Sequence, residues 1–257
     1  MSTSVNTIKQ LLWILLGTLV ITYLISLNME NHFIVLNIWW FSNDFLFVIA
    51  GGVFASLIVV LVCEIIRYRQ LKLATEATLF LNLGNLYGQL LIIRSNCKRA
   101  LNNRDIVADN LIQSTGNNAA MYADNINVID FTPFCSNNKI KDILAQYKAE
   151  KYQAIKSVLI NLTYLQIAIR EDQKSLLQQG NQGPVTSDLP KVNRVLNKIV
   201  NQSTTALTYF DQIILQIDNE LGNRYHWQGV KQALNIYQEN YTEHDLNDFL
   251  KNDVIVF

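Results

Sequence analysis

Histidine, cysteine and carboxylate side chains are what hydrolytic, redox or metal chemistry needs, and this chain carries few of them in a useful arrangement. Its three histidines, His32, His226 and His244, have no serine or cysteine beside them in a nucleophile–base pattern. Arg224-Tyr225-His226 brings an arginine close to a histidine, but at too short a spacing for the Arg-x4–6-His arrangement of certain helical nucleases. Glu171-Asp172 and the pair Asp245/Asp248 are neighbouring carboxylates of the kind that general acid–base work uses. On exposed helical positions, however, they read as solvated faces. Cys63, Cys97 and Cys135 are odd in number, far apart and without zinc-ligand spacing. No Gly-x4-Gly-Lys-Ser/Thr, Gly-x-Gly-x-x-Gly or His-Glu-x-x-His motif occurs. The residue types therefore predict a protein that is not an enzyme, with no catalytic residue, no metal and no cofactor.

The residues that do form a pattern are suited to a bilayer. Leu11 to Leu27 and Phe45 to Cys63 are uncharged apolar runs, each close to the roughly 20 residues a helix needs to cross about 30 Å of hydrocarbon. The predicted spans are about residues 10–28 and 45–66. Lys9 precedes the first, and Arg67, Arg69 and Lys72 follow the second. The connection carries no Lys or Arg, only Glu30, His32 and Asp44. Positive residues stay cytoplasmic, so both chain ends are expected inside and the connection outside. Trp13, Trp39 and Trp40 are candidate interfacial anchors, and the basic juxtamembrane cluster suits anionic headgroups. The start of the chain has a single Lys and no small-x-small cleavage site, so a retained anchor is expected rather than a cleaved signal. Cys63 falls in the membrane and the other cysteines on the reducing side, so disulfides are not expected.

Within the second span Gly51/Ala55 and Gly52/Ser56 form two overlapping small-xxx-small pairs, which let helix backbones approach closely. They suit packing of the hairpin on itself or joining of protomers. Glu64 lies one turn before Arg67 and reads as an interfacial ion pair, with a titrating pore-mouth carboxylate as the alternative.

The elements that must carry these residues are all helical. No breaker follows the second span, and apolar residues recur at Leu79, Leu83, Leu86, Leu90, Ile93, Cys97 and Ala100, in alternating steps of four and three. Gly84 and Gly88 interrupt this stem, which predicts a close helix contact there. A further helix is expected from about Lys139 to Gly180, capped by Asn137 or Asn138. The next is capped by Ser187 or Asp188, has Pro190 in its first turn and closes at Gly222. Another surrounds Trp227 to Asn240, and a capping box at Thr242-x-x-Asp245 opens a last short one. The expected architecture is an all-α membrane protein: a two-transmembrane hairpin (1–66) whose second helix continues into a cytoplasmic stem (67–112), an irregular connection (113–138), and a helical bundle with short C-terminal helices (139–257).

Charge narrows the partners. Lys+Arg and Asp+Glu are equal at 21 each, so no direct nucleic-acid binding is expected. The segment 67–104 is basic and the segment 239–253 acidic, ahead of an apolar Val254-Ile255-Val256-Phe257 terminus.

Residues 10–75 resemble the hairpin of the lipopolysaccharide-assembly protein A family: apolar helix, Asn/Glu-containing turn, short apolar segment ending in Trp39-Trp40-Phe41, second apolar helix with Gly51-Gly52, then Arg67-x-Arg69-x-x-Lys72. That resemblance implies a membrane-anchored adaptor and brings no catalytic residue; the long helical part here departs from those short proteins. The layout as a whole is similar to two-transmembrane effectors of bacterial antiphage systems, including those paired with retron reverse transcriptases. This similarity implies an inner-membrane, multi-pass homo-oligomer that disrupts the bilayer when triggered. It also implies a regulatory protein or ribonucleoprotein encoded nearby as partner.

Overall fold

A computed structural model of the chain describes residues 5–31, 43–103, 109–129, 138–148, 152–178, 180 and 189–237. Among these residues all regular structure is helical: α1 (Val5–Asn31), α2 (Asn43–Asn103), α3 (Asp109–Val128), α4 (Asn138–Gln146), α5 (Tyr152–Gln178), α6 (Pro190–Glu220) and α7 (Trp227–Tyr237). The chain divides into two units, one holding α1 and α2 as far as Thr75, the other beginning at Glu76.

In the first unit α1 and the start of α2 are apolar without a polar stripe. α1 has 27 residues, about 40 Å at 1.5 Å per residue. Both helices are long and apolar enough to cross a membrane, over Thr7–Leu24 and from Val48 onward.

The second unit is a bundle built around the remainder of α2. The predicted seam is buried throughout: Leu83, Leu86, Leu90, Ile93 and Cys97 have no exposed surface, and Leu79 and Ala100 almost none. Burial goes further than one seam. Every residue from Asn82 to Leu91, including Gly84 and Gly88, is enclosed, so nearly three turns are covered from all sides. α5 and α6 form an antiparallel pair, in which Glu171 near the end of α5 meets Lys191 at the start of α6, while Asn161 donates to the side-chain oxygen of Gln202. α3 runs back along α5, where the Tyr152 hydroxyl donates to Asp124 at 2.6 Å. α4 lies along α6 through Lys139–Glu220 (3.0 Å) and an edge-to-face contact of Tyr147 with Phe210 (5.6 Å).

Three features differ from the sequence-based expectation. The irregular connection expected from residue 113 is helical as far as Val128. Its buried stripe is Thr115, Ala119, Ala123 and Ile126, of which the first three are small and let α3 lie close to α5. A Cβ on Gly116 would stand 2.7 Å from Leu162 Cδ1, so glycine permits that approach. The single helix expected over 139–180 is instead two, α4 and α5; the seam position between Tyr147 and Ile155 is taken by the charged Lys151. α6 begins at Pro190 as expected, but its N-cap is Leu189, with no side-chain cap. Ser187 and Asp188 lie outside the described residues, as do the Thr242 capping box and the apolar C terminus. Gly222 closes α6 with φ +76°, the left-handed geometry of a helix C terminus.

Enclosure raises the pKa of several weak acids in the bundle. Burial pushes the Cys97 thiol from its ordinary 9.0 up to about 12. Burial, then the Asp211 carboxylate, raises the Tyr87 phenol from 10.0 to about 12, against the opposing pull of Arg94. Burial and Glu76 raise Tyr225 as well. The folded state therefore keeps protons that the unfolded chain releases. Their contribution to stability is complete below pH 9 and is lost as pH climbs toward 12. Helix content followed by circular dichroism in detergent should fall cooperatively above about pH 10, and Tyr87→Phe should move that loss upward. Undiminished helix at pH 12 would contradict the enclosure of these groups.

Candidate membrane-spanning site

The site is built from the apolar parts of α1 and α2. In α1 the exposed residues Leu12, Ile14, Leu16, Leu19, Val20 and Ile21 spread over about 220° of the circumference. Val48, Ile49, Val53, Ile58, Val59 and Val62 do the same in α2. A helix that is apolar all round belongs in an apolar surrounding. The hydroxyls that interrupt these stretches are satisfied within their own helix: Thr18 donates to the Leu15 carbonyl, Thr22 to that of Thr18 and Ser56 to that of Gly52, each at 2.8 Å. No polar group on these three side chains thus calls for water.

Trp13 is 74% exposed toward the start of α1, and Tyr23 is exposed toward its far end. Trp39 and Trp40 lie outside the described residues. On α2, Gly52, Ala55 and Ser56 are exposed and Gly51 is half-buried. A Cβ added at Gly51 or Gly52 would meet no atom within 4 Å. Among the described residues nothing packs on the two glycines of the small-residue surface that the sequence marks out. Arg67 reaches Glu64 at 3.8 Å, Arg69 is exposed and Lys72 half-buried, so the basic cluster sits one to three turns beyond Cys63.

In the bundle, residues weighed for catalysis have structural employment. Arg224 donates to Glu76 at 3.1 Å, and Tyr225 stacks on Phe80 with ring centroids 4.4 Å apart. His226 is exposed, at φ +48°. These residues lie in a turn organised by Asp218, whose two oxygens accept the backbone N–H groups of Tyr225 (2.9 Å) and Trp227 (2.8 Å). Trp227 packs edge-on against Phe80 and Tyr87, and its indole N–H donates to Asp211 at 2.9 Å. Glu171 is exposed and paired with Lys191, which lowers its pKa, but Asp172 is buried rather than solvated. His32, His244, Cys135, Asp245 and Asp248 lie outside the described residues. Among the described residues no three His, Cys, Asp or Glu side chains gather as a metal site.

One group of residues escaped the sequence reading. Asn82, Asn85 and Gln89 lie on one side of α2 and are buried at the centre of the bundle. Asn82 bonds back to the Thr78 carbonyl at 2.8 Å, while the Asn85 side-chain oxygen has no hydrogen-bond partner among the described residues. The Ser203 and Tyr147 hydroxyls are likewise buried without one. Polar residues three, four and seven apart normally mark a solvent face, so nothing local signals their burial.

No protein-family model matches this chain, and neither a curated protein nor a solved structure is similar to it.

Proposed function

We propose that this protein is a membrane-embedded effector of a bacterial antiphage, abortive-infection system. α1 and the apolar part of α2 span the inner membrane, with both termini cytoplasmic. When triggered, copies associate and disrupt the bilayer. The observation that carries this reading is that one helix has two roles: α2 supplies the apolar segment beginning at Val48 and also the enclosed centre of the bundle, Asn82 to Leu91. Whatever loosens the bundle acts on the same helix that enters the membrane.

Two further observations support it. Among the described residues, polar atoms of Asn85, Ser203 and Tyr147 lack a partner; each costs about 1–3 kcal/mol of desolvation, which makes the closed bundle easier to loosen. Gly52, Ala55 and Ser56 are exposed and a Cβ at Gly51 or Gly52 would meet no atom of the described residues within 4 Å, and two helices alone cannot enclose a water path, so leakage requires several copies. A regulatory protein or ribonucleoprotein encoded nearby would hold the bundle in its closed form.

The test is controlled expression with a membrane-potential dye. Depolarisation and growth arrest are expected, and Gly51→Leu or Gly52→Leu should abolish both while leaving membrane insertion intact. Harmless expression, even with neighbouring genes triggered, would remove the effector reading. A second reading, a membrane-anchored adaptor whose bundle recruits a soluble partner, is favoured by the exposed apolar residues Ile160, Tyr164 and Ile167 on α5. It predicts harmless expression together with recovery of one specific partner.

A further inference from the structure

Beside those apolar residues of α5 runs a basic edge of α6. Tyr164 and Ile167 line a groove of about 390 Å³ with Lys191, Arg194, Val195 and Lys198. Tyr164 is 53% and Ile167 45% exposed. Lys191 is engaged by Glu171, but Arg194 and Lys198 have no carboxylate partner among the described residues. An occupant must therefore present apolar side chains and uncompensated negative charge together.

The chain carries such a segment at its own end. Residues 239–257 contain Glu239, Glu243, Asp245, Asp248 and Asp253 against a single Lys251. Leu246, Phe249 and Leu250 have the three-and-four spacing of an apolar helix face. We propose that the α5–α6 groove binds the acidic, apolar C-terminal segment of a second copy of this chain, with Phe249 and Leu250 against Tyr164 and Ile167 and the carboxylates against Arg194 and Lys198.

A second copy is favoured over the chain's own tail by register on α6. α7, which precedes the tail, is held by Asp211 and Asp218. At 3.6 residues per turn these lie about 130° round α6 from Arg194 and Lys198. The chain's own tail would have to cross the outward side of α6, where Asn201, Thr204, Thr205 and Thr208 are exposed and uncharged and offer it neither charge nor apolar surface. Contact between copies also accords with the oligomer that the proposed function requires, though it stands without it.

The experiment uses the full chain purified in detergent, with p-benzoylphenylalanine replacing Tyr164 and equal parts of light- and heavy-isotope protein. Irradiation should give mixed-isotope crosslinks to peptides within 239–257. R194E/K198E should reduce their yield roughly tenfold, the equivalent of about 1.4 kcal/mol, as should D245K/D248K; combining the two reversals should restore it. The reversed residues on α6 are exposed, so unchanged circular dichroism verifies the fold. Crosslinks confined to one isotope would show the chain's own tail in the groove, and crosslinks to other segments, to lipid or to nothing would show that the tail does not bind there; each overturns the proposal. The readout is taken on Gly51→Leu protein as well, so that failure of the groove contact and failure of membrane disruption are told apart.

Discussion

Asp218→Ala should lower the melting temperature of the bundle by about 10 °C, followed by tryptophan fluorescence in detergent. Asp218 is 2% exposed, and it accepts two backbone N–H groups from residues that are themselves buried. A charge-assisted bond of this kind is worth about 1.5–3 kcal/mol, and a buried donor left without a partner costs its full desolvation. Losing both bonds therefore costs about 3–5 kcal/mol, and each kcal/mol moves the melting point of a domain this size by about 2–4 °C. The consequence spreads, because the turn after α6 uses two non-glycine residues at positive φ, Asn223 (54°) and His226 (48°), which only a firm anchor sustains. Without it Trp227 loses its place between Phe80, Tyr87 and Asp211, and α2 loses one wall of its enclosure. Asp218→Asn keeps one acceptor oxygen and should give about half the shift. Asp142→Ala, an exposed site on α4, should change stability by less than about 0.5 kcal/mol. An Asp218→Ala melt matching that of Asp142→Ala would show that the carboxylate does not organise the turn.

Leu16→Arg combined with Val59→Arg should release the protein from the membrane fraction or send it to aggregates. Each residue is exposed in the middle of an apolar stretch, at 56% and 62%. An arginine at the centre of a membrane helix costs about 2.5–3.5 kcal/mol on insertion scales, so the pair costs about 5–7 kcal/mol and shifts partitioning by several orders of magnitude. The opposite sign is expected for a water-soluble protein, where two new surface charges would improve solubility. Alkaline carbonate extraction of membranes from cells expressing each form reads the difference. Double-mutant protein still resisting extraction would remove the membrane proposal and with it the effector reading.

How much of this was legible depended on whether the signal was periodic and local. The seam from Leu79 to Ala100 was readable because large apolar residues at alternating steps of four and three fall on one side of a helix, whereas on a strand they would scatter over both faces. Pro190 and Gly222 marked the ends of α6 through backbone constraints that act within a residue or two. α3 was not readable: its buried stripe of Thr115, Ala119, Ala123 and Ile126 is too small and polar to stand out, and three asparagines and a glycine among them argue against helix until burial against α5 overrides propensity. The sequence also placed Asp172 in solvent with Glu171, whereas it faces inward one residue further round the helix.

The amino-acid sequence by itself determined that the chain is helical, that two stretches are apolar enough to cross a membrane, and that α2 continues without a break far beyond its apolar part. These properties follow from the order of side chains along one helix. Only the tertiary structure decided that Asn82, Asn85 and Gln89 are interior, that Glu76 meets an arginine 148 residues away, and that Asp218 anchors Trp227. Each of these depends on which distant segment comes to lie opposite, and α2 is enclosed because other helices surround it, something no spacing within α2 can announce.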